Sequence, residues 1–339
     1  MNYGRIFVGE IKKKMTVSFG TITIPERSKQ LVNQALDSTF VASGKLVREF
    51  EDRFARMHGV KEAVAMATGT DADTLALAVL HDFGAKRGDE VIIPSLSFVA
   101  TGNAVLHAGF TPIFVDVEKH TLNIDATRIE AAITDKTRAI MPVHLMGKPA
   151  DMDPILAIAK KHKLVVVEDA AEAHGCKYKG RVAGAMADMA AFSTFVAHII
   201  TTIEGGVVTT DREDYAEILR SLRSHGRNCN CKRCVMASGS TYCEKRFGQP
   251  GVEDIRFTFN RVGYSCKMNE LEAAVGLGNM DIYDHILGTR YNNLRHLLDR
   301  FGKFAPYLLT FKEEPHEKIG PHAFPIILGD EASFTRKQL

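Results

Sequence analysis

The sequence predicts an α/β fold in which one large, mostly parallel sheet is wrapped by helices. Three observations carry that prediction. From about residue 25 onward, helical patterns alternate with short apolar runs, the signature of strands joined through helices. Several runs, LVVVED above all, are apolar throughout instead of alternating, as strands covered on both faces must be. The 339 residues are 45% hydrophobic and 25% charged, which suits a globular core and excludes disorder and collagen-like repeats.

In chain order, GKLVREFEDRFARMHG ends a first helix, AVAMAT is a strand, and Ala72 to Leu80 is a helix. DEVIIPS, a helix near Asn103 to Ala108, and TPIFVDV follow, then RAIMPVHL, the helix DPILAIAKKHK, and the strands LVVVED, MAAFSTF and GGVVTT. Near Arg227 the rhythm breaks into a polar loop rich in Cys, Gly and Ser that runs to Gly251. NELEAAVGLGNMDIYDHILGTRYNNLRHLLDRF then reads as one long or kinked helix. The expected division is a large domain over residues 1–270, carrying the loop, and a linking helix with part of a smaller C-terminal domain over 271–339. That last part contributes one strand, HAFPIIL, and opens a helix at Thr335 to Leu339.

With 43 basic and 41 acidic residues, bulk electrostatics give no reason to expect nucleic acid or an anionic membrane as a partner. No apolar stretch approaches the ~20 residues of a membrane span, and MNYGRIFVGEIKKKM lacks the apolar core of a signal peptide. The expected location is cytoplasmic. Six cysteines, four of them between Cys229 and Cys243, look less like a secreted disulfide framework than like a metal or cluster site.

Three segments point to a cofactor. Gly69-Thr70 lies between a strand and a helix, where backbone N–H groups and a hydroxyl face an anion; a simple helix cap is the alternative. Phe98 closes a strand, as a ring to stack on or as a core residue. Glu168-Asp169 ends an apolar strand, and a carboxylate there is costly without a cationic partner. A protonated pyridine nitrogen is one such partner, and an Arg or a helix N-terminus is another.

The blocks GKLVREFE, AVAMATGTDADTLAL, PSLSFVATGNAVLHAGFTPIFVDVE, VHLMGKPADMDPI, VVVEDAAEAHG, FSTFVAHIITTIEGGVVTT and VGYSCKMNELEAAVG occur in one order over about residues 20 to 290. Together they resemble the sugar aminotransferase family DegT/DnrJ/EryC1/StrS. The resemblance implies the fold-type I fold of pyridoxal-phosphate enzymes, similar to aspartate aminotransferase. It implies a homodimer with active sites at the subunit interface and a nucleotide-linked keto sugar as substrate. Carried over by position, Gly69 and Thr70 hold the cofactor phosphate, Phe98 stacks on the pyridine ring and Asp169 pairs with its nitrogen. Ser193 matches a phosphate-contacting serine, and Glu172 stands where the family commonly has Gln beside the cofactor hydroxyl. Ser265 stands where an Asn usually reaches the phosphate across the dimer interface.

The decisive departure is His198, at the position of the lysine that carries the cofactor in the family's aminotransferases. No lysine occurs from Arg181 to Cys231. Histidine forms no stable imine with a pyridoxal aldehyde, so the expected cofactor is pyridoxamine 5'-phosphate held without a covalent bond. The exchange looks like the mark of the 3-dehydratases of nucleotide-linked 4-keto-6-deoxyhexoses, in which His198 would act as the catalytic base.

Cys229, Cys231, Cys234 and Cys243 suggest tetrathiolate ligation of Zn²⁺ or an iron–sulfur cluster, and spacing alone does not choose between them. One branch of the His-bearing dehydratases uses a [2Fe–2S] cluster fed by a reductase. Cys229, Cys231 and the run Cys243-Glu-Lys-Arg-Phe are similar to its landmarks, whereas Ala170 and Ala171 stand where its remaining ligand falls. The leading expectation is therefore C3 deoxygenation with cluster-fed electrons. The alternatives are a cluster-free dehydratase regenerated by glutamate and a non-catalytic relative with a zinc-bound loop. Family members continue further at the C-terminus, so the resemblance also implies an incomplete smaller domain.

Overall fold

The computed structural model describes residues 22–236, 240–248 and 254–339. The N-terminal segment read for a signal peptide, and residues 237–239 and 249–251 of the Cys-rich loop, lie outside the described residues.

Helices α1 (Glu26–Asp37) and α2 (Lys45–His58) open the fold. Val47, Phe50 and Phe54 recur three and four residues apart on α2 and are all buried. The helix stops at Gly59, whose φ of +70° is a left-handed cap that glycine adopts without a Cβ penalty. Then come β1 (Glu62–Met66), α3 (Gly69–Ala78), β2 (Glu90–Pro94), α4 (Val99–His107), β3 (Thr111–Val115), the short α5 (Ala126–Ile129), β4 (Thr137–Ile140), α6 (Met152–His162) and β5 (Val165–Asp169). Two-residue strands β6 (Lys177–Tyr178) and β7 (Arg181–Val182) precede β8 (Met189–Ser193) and β9 (Gly206–Thr210). Helix α7 (Glu213–Leu222) is an addition to the expected elements, with Tyr215, Ile218, Leu219 and Leu222 on its buried face.

The large sheet runs β1-β9-β8-β5-β4-β2-β3. Only β9 is reversed, antiparallel to both β1 and β8; the other neighbours are parallel. Alternation along β2 sends Ile92 to one face, with Phe50, Phe54, Phe192 and Leu277. It sends Val91 and Ile93 to the other, with Leu75, Val105 and Leu219. Covering both faces is what the uninterrupted apolar strands require.

The expected long helix breaks at Ile282 (φ −107°, ψ 9°) into α8 (Glu270–Asp281) and α9 (Tyr283–Phe301). Asn269 and Glu272 form a capping box at the start of α8. Glu270, itself buried, accepts from the N–H groups of Gly44 (2.8 Å), Leu46 (2.9 Å) and Val47 (3.0 Å), so a carboxylate from α8 caps α2. Beyond α9, β10 (Leu308–Leu309) pairs with β12 (Ile327–Leu328), while β11 (Glu317–Lys318) extends β6 and β7. HAFPIIL is thus a strand over only two residues, because Pro325 supplies no ladder donor. Residues 335–339 form a turn instead of a helix, with Thr335 O accepting from Gln338 (2.9 Å) and Leu339 (3.1 Å); five residues are too few for a stable helical nucleus. The chain returns to the sheet where Gly320 N–H meets Gly147 O at 2.9 Å. A Cβ on Gly147 would overlap Gly320 O, and Gly147 has a φ of +83°.

Glu168 fixes the far side of β5. It is fully buried and accepts from Gly184 N (2.9 Å), Met186 N (2.9 Å) and Ala187 N (3.0 Å), with His144 Nε2 at 2.9 Å. Truncation in Glu168→Ala leaves those groups buried and unpaired, so urea unfolding should show a loss of about 3–5 kcal/mol. A loss below about 1 kcal/mol would contradict this role.

Candidate active site

The C-terminal ends of the parallel strands form a crevice, the usual ligand position in open α/β sheets. Asp169 ends β5 there, 4% exposed. Thr101 Oγ1 donates to its Oδ2 (2.7 Å) and Ala171 N–H to its Oδ1 (3.2 Å). Burial pushes its carboxyl above the usual range, and nearby Glu172 adds to the shift. Among the described residues Asp169 makes no ion pair, so neither an Arg partner nor a simple helix cap accounts for it.

Asp73, on the sheet-facing side of α3, was not singled out by the sequence reading. It is 3% exposed, its Oδ1 has no hydrogen-bond partner, and burial followed by the charge of Asp169 pushes it well above the usual range. Two buried carboxyls near one another with no cation are costly, and a protonated ring nitrogen on Asp169 would relieve that cost.

The phosphate-binding expectation falls on a tight cradle. Thr68, not Thr70, caps α3: its hydroxyl accepts from Asp71 N–H at 3.0 Å. Gly69 and Thr70 therefore form the first turn without serving as the cap. A Cβ on Gly69 would come within 2.7 Å of Ser193 Cβ and 3.0 Å of its Oγ. One on Gly206 would come within 2.2 Å of Thr68 O. Glycine at both positions brings the α3 N-terminus against the end of β8, with Ser193 Oγ beside it. Phe98, at 72% exposure, is no core residue; it is the N-cap of α4, one turn before Thr101. The residues present thus fit an anionic, protonated pyridine: amides and a hydroxyl at one end, a buried acid at the other.

His198 follows β8 on a turn closed by its own N–H to Phe195 O (3.0 Å). Its Nδ1 is buried without a partner. Burial, then His322 and Arg290, depress its pKa to about 3, so the imidazole is neutral at physiological pH and able to accept a proton. Glu172 lies alongside: its carboxylate accepts from Met146 N–H and stands 3.5 Å from His322 Nε2. Ser265 is exposed, on a segment held beside the end of β1 by Ala67 N–H to Cys266 O (2.8 Å).

The structure therefore gathers Gly69, Ser193, Asp169, Glu172 and His198 at one edge of the sheet, with Thr101, Asp73, His322 and Arg290 as additions. Thr101 was within sequence reach, one turn after Phe98. His322 and Arg290 come from the last third of the chain, with no local signal to mark them.

The four loop cysteines are half-buried. Among the described residues no group of three or more His, Cys, Asp or Glu side chains is arranged to hold a metal ion. The thiols do lie near each other: burial, and then the charges of Cys231, Cys234 and Cys243, raise the pKa of Cys229. Three basic side chains of the loop form ion pairs. Lys232 pairs with Glu62 (2.8 Å), Arg233 with Asp52 (3.4 Å) and Arg246 with Asp254 (2.8 Å), which ties the loop to the body of the fold.

The DegT/DnrJ/EryC1/StrS aminotransferase family model matches residues 23–339, and the chain belongs to that family. It is 37% identical over 328 residues to GDP-perosamine synthase of Caulobacter vibrioides, covering 95% of this chain and 80% of that protein. It is 38% identical over 319 residues to dTDP-4-dehydro-2,6-dideoxy-D-glucose 3-dehydratase of Saccharopolyspora spinosa, covering 91% and 68%. The structure of E. coli GDP-4-keto-6-deoxy-D-mannose-3-dehydratase with bound hydrated PLP superposes with a TM-score of 0.83 at 29% identity, covering 96% and 82%. The fold is that of the PLP-dependent aminotransferases, and the relatives include both aminotransferases and 3-dehydratases. No helix among the described residues is long and apolar enough to cross a membrane.

Thiol labelling of the native protein should modify half-buried Cys229, Cys231 and Cys243, and spare Cys176 and Cys266, which are buried and whose pKa values burial raises. Protection of the loop thiols that a chelator or reductant removes would show a bound metal and support the ligand set expected from their spacing.

Proposed function

We propose that this chain is a pyridoxamine-phosphate-dependent enzyme that removes the C3 hydroxyl of a nucleotide-linked 4-keto-6-deoxyhexose, with His198 as its proton-moving group. The observation that carries the reading is the buried His198 imidazole, its Nδ1 without a partner, five residues beyond the Ser193 that stands against Gly69. Pyridoxamine phosphate supplies an amine that condenses with a ketone and a ring that draws electrons from the adjoining bonds.

The chain's own residues do the rest. Gly69, Thr70 and Ser193 hold the phosphate, while Phe98 covers one face of the ring. Asp169, oriented by Thr101, keeps the ring nitrogen protonated and so preserves its electron-withdrawing power. Burial makes Asp169 a weak acid by itself; the ring cation pulls it back to the charged form. His198 takes the proton from the carbon next to the cofactor amine and holds it while the hydroxyl leaves C3. Ser265 reaches the phosphate of a second copy in a homodimer.

Aminotransfer, the activity printed in the family's name, fits this site less well. It uses a lysine to exchange the cofactor between protein and substrate, whereas position 198 carries histidine, with His322 and Arg290 beside it. A non-catalytic role leaves the cost of burying Asp169 beside Asp73 without a purpose. The cluster-fed and glutamate-regenerated forms of deoxygenation share the elimination described here, and no step of this reading passes through the cysteine loop.

The test is exchange of the cofactor's C4′ proton. Incubated in D₂O with pyridoxamine phosphate and an NDP-4-keto-6-deoxyhexose, the protein should incorporate deuterium at C4′. His198→Asn should slow this by on the order of 10²-fold. Near-native exchange in that variant would remove His198 from its role.

A further inference from the structure

His322 is not accounted for by the reaction as described, yet it is placed to govern it. The C-terminal segment returns to the sheet at Gly320, pinned by its N–H to Gly147 O (2.9 Å). Two residues later the His322 side chain, 15% exposed, enters the site. Its ring lies 4.8 Å from that of His198, tilted by 43°, and on its other side Nε2 stands 3.5 Å from Glu172 Oε1. Arg290 of α9 closes the group, donating to Ala197 O (3.1 Å) beside His198. His174, buried behind with Nε2 on Ser193 O (3.0 Å), is the remaining titratable neighbour.

We propose that His322 is a positioning residue that, with Glu172 behind it, makes His198 a base of one-proton capacity and draws the resulting positive charge toward Glu172. This rests on the reading of His198 as the base. The argument is one of where charge can sit. Arg290 bears on both rings, whereas the Glu172 carboxyl group stands 3.5 Å from His322 Nε2. A proton entering the pair is therefore better compensated on the His322 side, and a second is opposed by the first at 4.8 Å between ring centres. Burial, with Arg290 for His322 and with His322 and Arg290 for His198, depresses the first to about 4 and the second to about 3, an order that agrees with this placement. In turnover the proton leaves carbon as H⁺, is held by the imidazole pair, and returns to the product or water; the protein gains and loses no electrons.

The test needs neither cofactor nor substrate. Imidazole C2–H resonances of the full-length protein are followed by NMR from pH 8 down to the acid edge of the folded range. His322→Phe preserves the ring contact and removes the competing charge. The His198 midpoint should then move upward by about half a unit or more, roughly a threefold gain in proton affinity. Should His322→Phe fold poorly, His322→Asn serves, since it also cannot be charged. A His198 midpoint that stays within about 0.1 unit of the wild type in the folded variant overturns the proposal. The upward shift together with absent C4′ exchange in the wild type would retain the charge coupling and reject the reaction, so the two failures are separable.

Discussion

A carboxylate buried at the end of a central strand, with no cation beside it, is the constraint on which the site depends. Asp169 is held by one hydroxyl and one amide, too little to compensate a full charge, and Glu172 makes its ionisation harder still. Left alone, such a group takes up a proton. A cation beside it would hold it as an anion, as the ring nitrogen of the proposed cofactor would. The glycines that press α3 against β8 place the anion-binding end opposite.

Strand geometry explains why two adjacent acids have different fates. Successive side chains point to opposite faces, so Glu168 turns to three backbone N–H groups and His144, whereas Asp169 turns toward Thr101 and the crevice. One carboxylate is fully compensated by the fold and holds the sheet together. The other is left short of partners and becomes the site.

What the sequence made legible was local. The alternation of apolar runs and helical patterns located the large sheet, because each strand declares itself within five residues. Gly69 starts a helix and Asp169 ends a strand, so position in the pattern pointed to them, whereas Ser193 at the end of β8 and His198 five residues beyond it were indicated by the family resemblance. His322 and Arg290 were invisible because they reach the site only through the break at Ile282 and the return at Gly320, neither of which periodicity describes. Asp73 was hidden differently: a polar residue inside a helix reads as solvent-facing until the packing shows that its side faces the sheet. The cysteine loop shows the limit of spacing arguments, since nearness in sequence brings the thiols close without choosing what they would bind.

The central claim is that the site holds its cofactor by a salt link, a phosphate cradle and stacking, with no bond to a lysine. Borohydride reduction of the protein saturated with pyridoxal phosphate, followed by peptide mass spectrometry, tests it most directly. The account predicts no cofactor adduct on any active-site peptide of the wild type, release of all cofactor on denaturation, and an adduct at position 198 in His198→Lys. A wild-type adduct on a lysine within the crevice would contradict it.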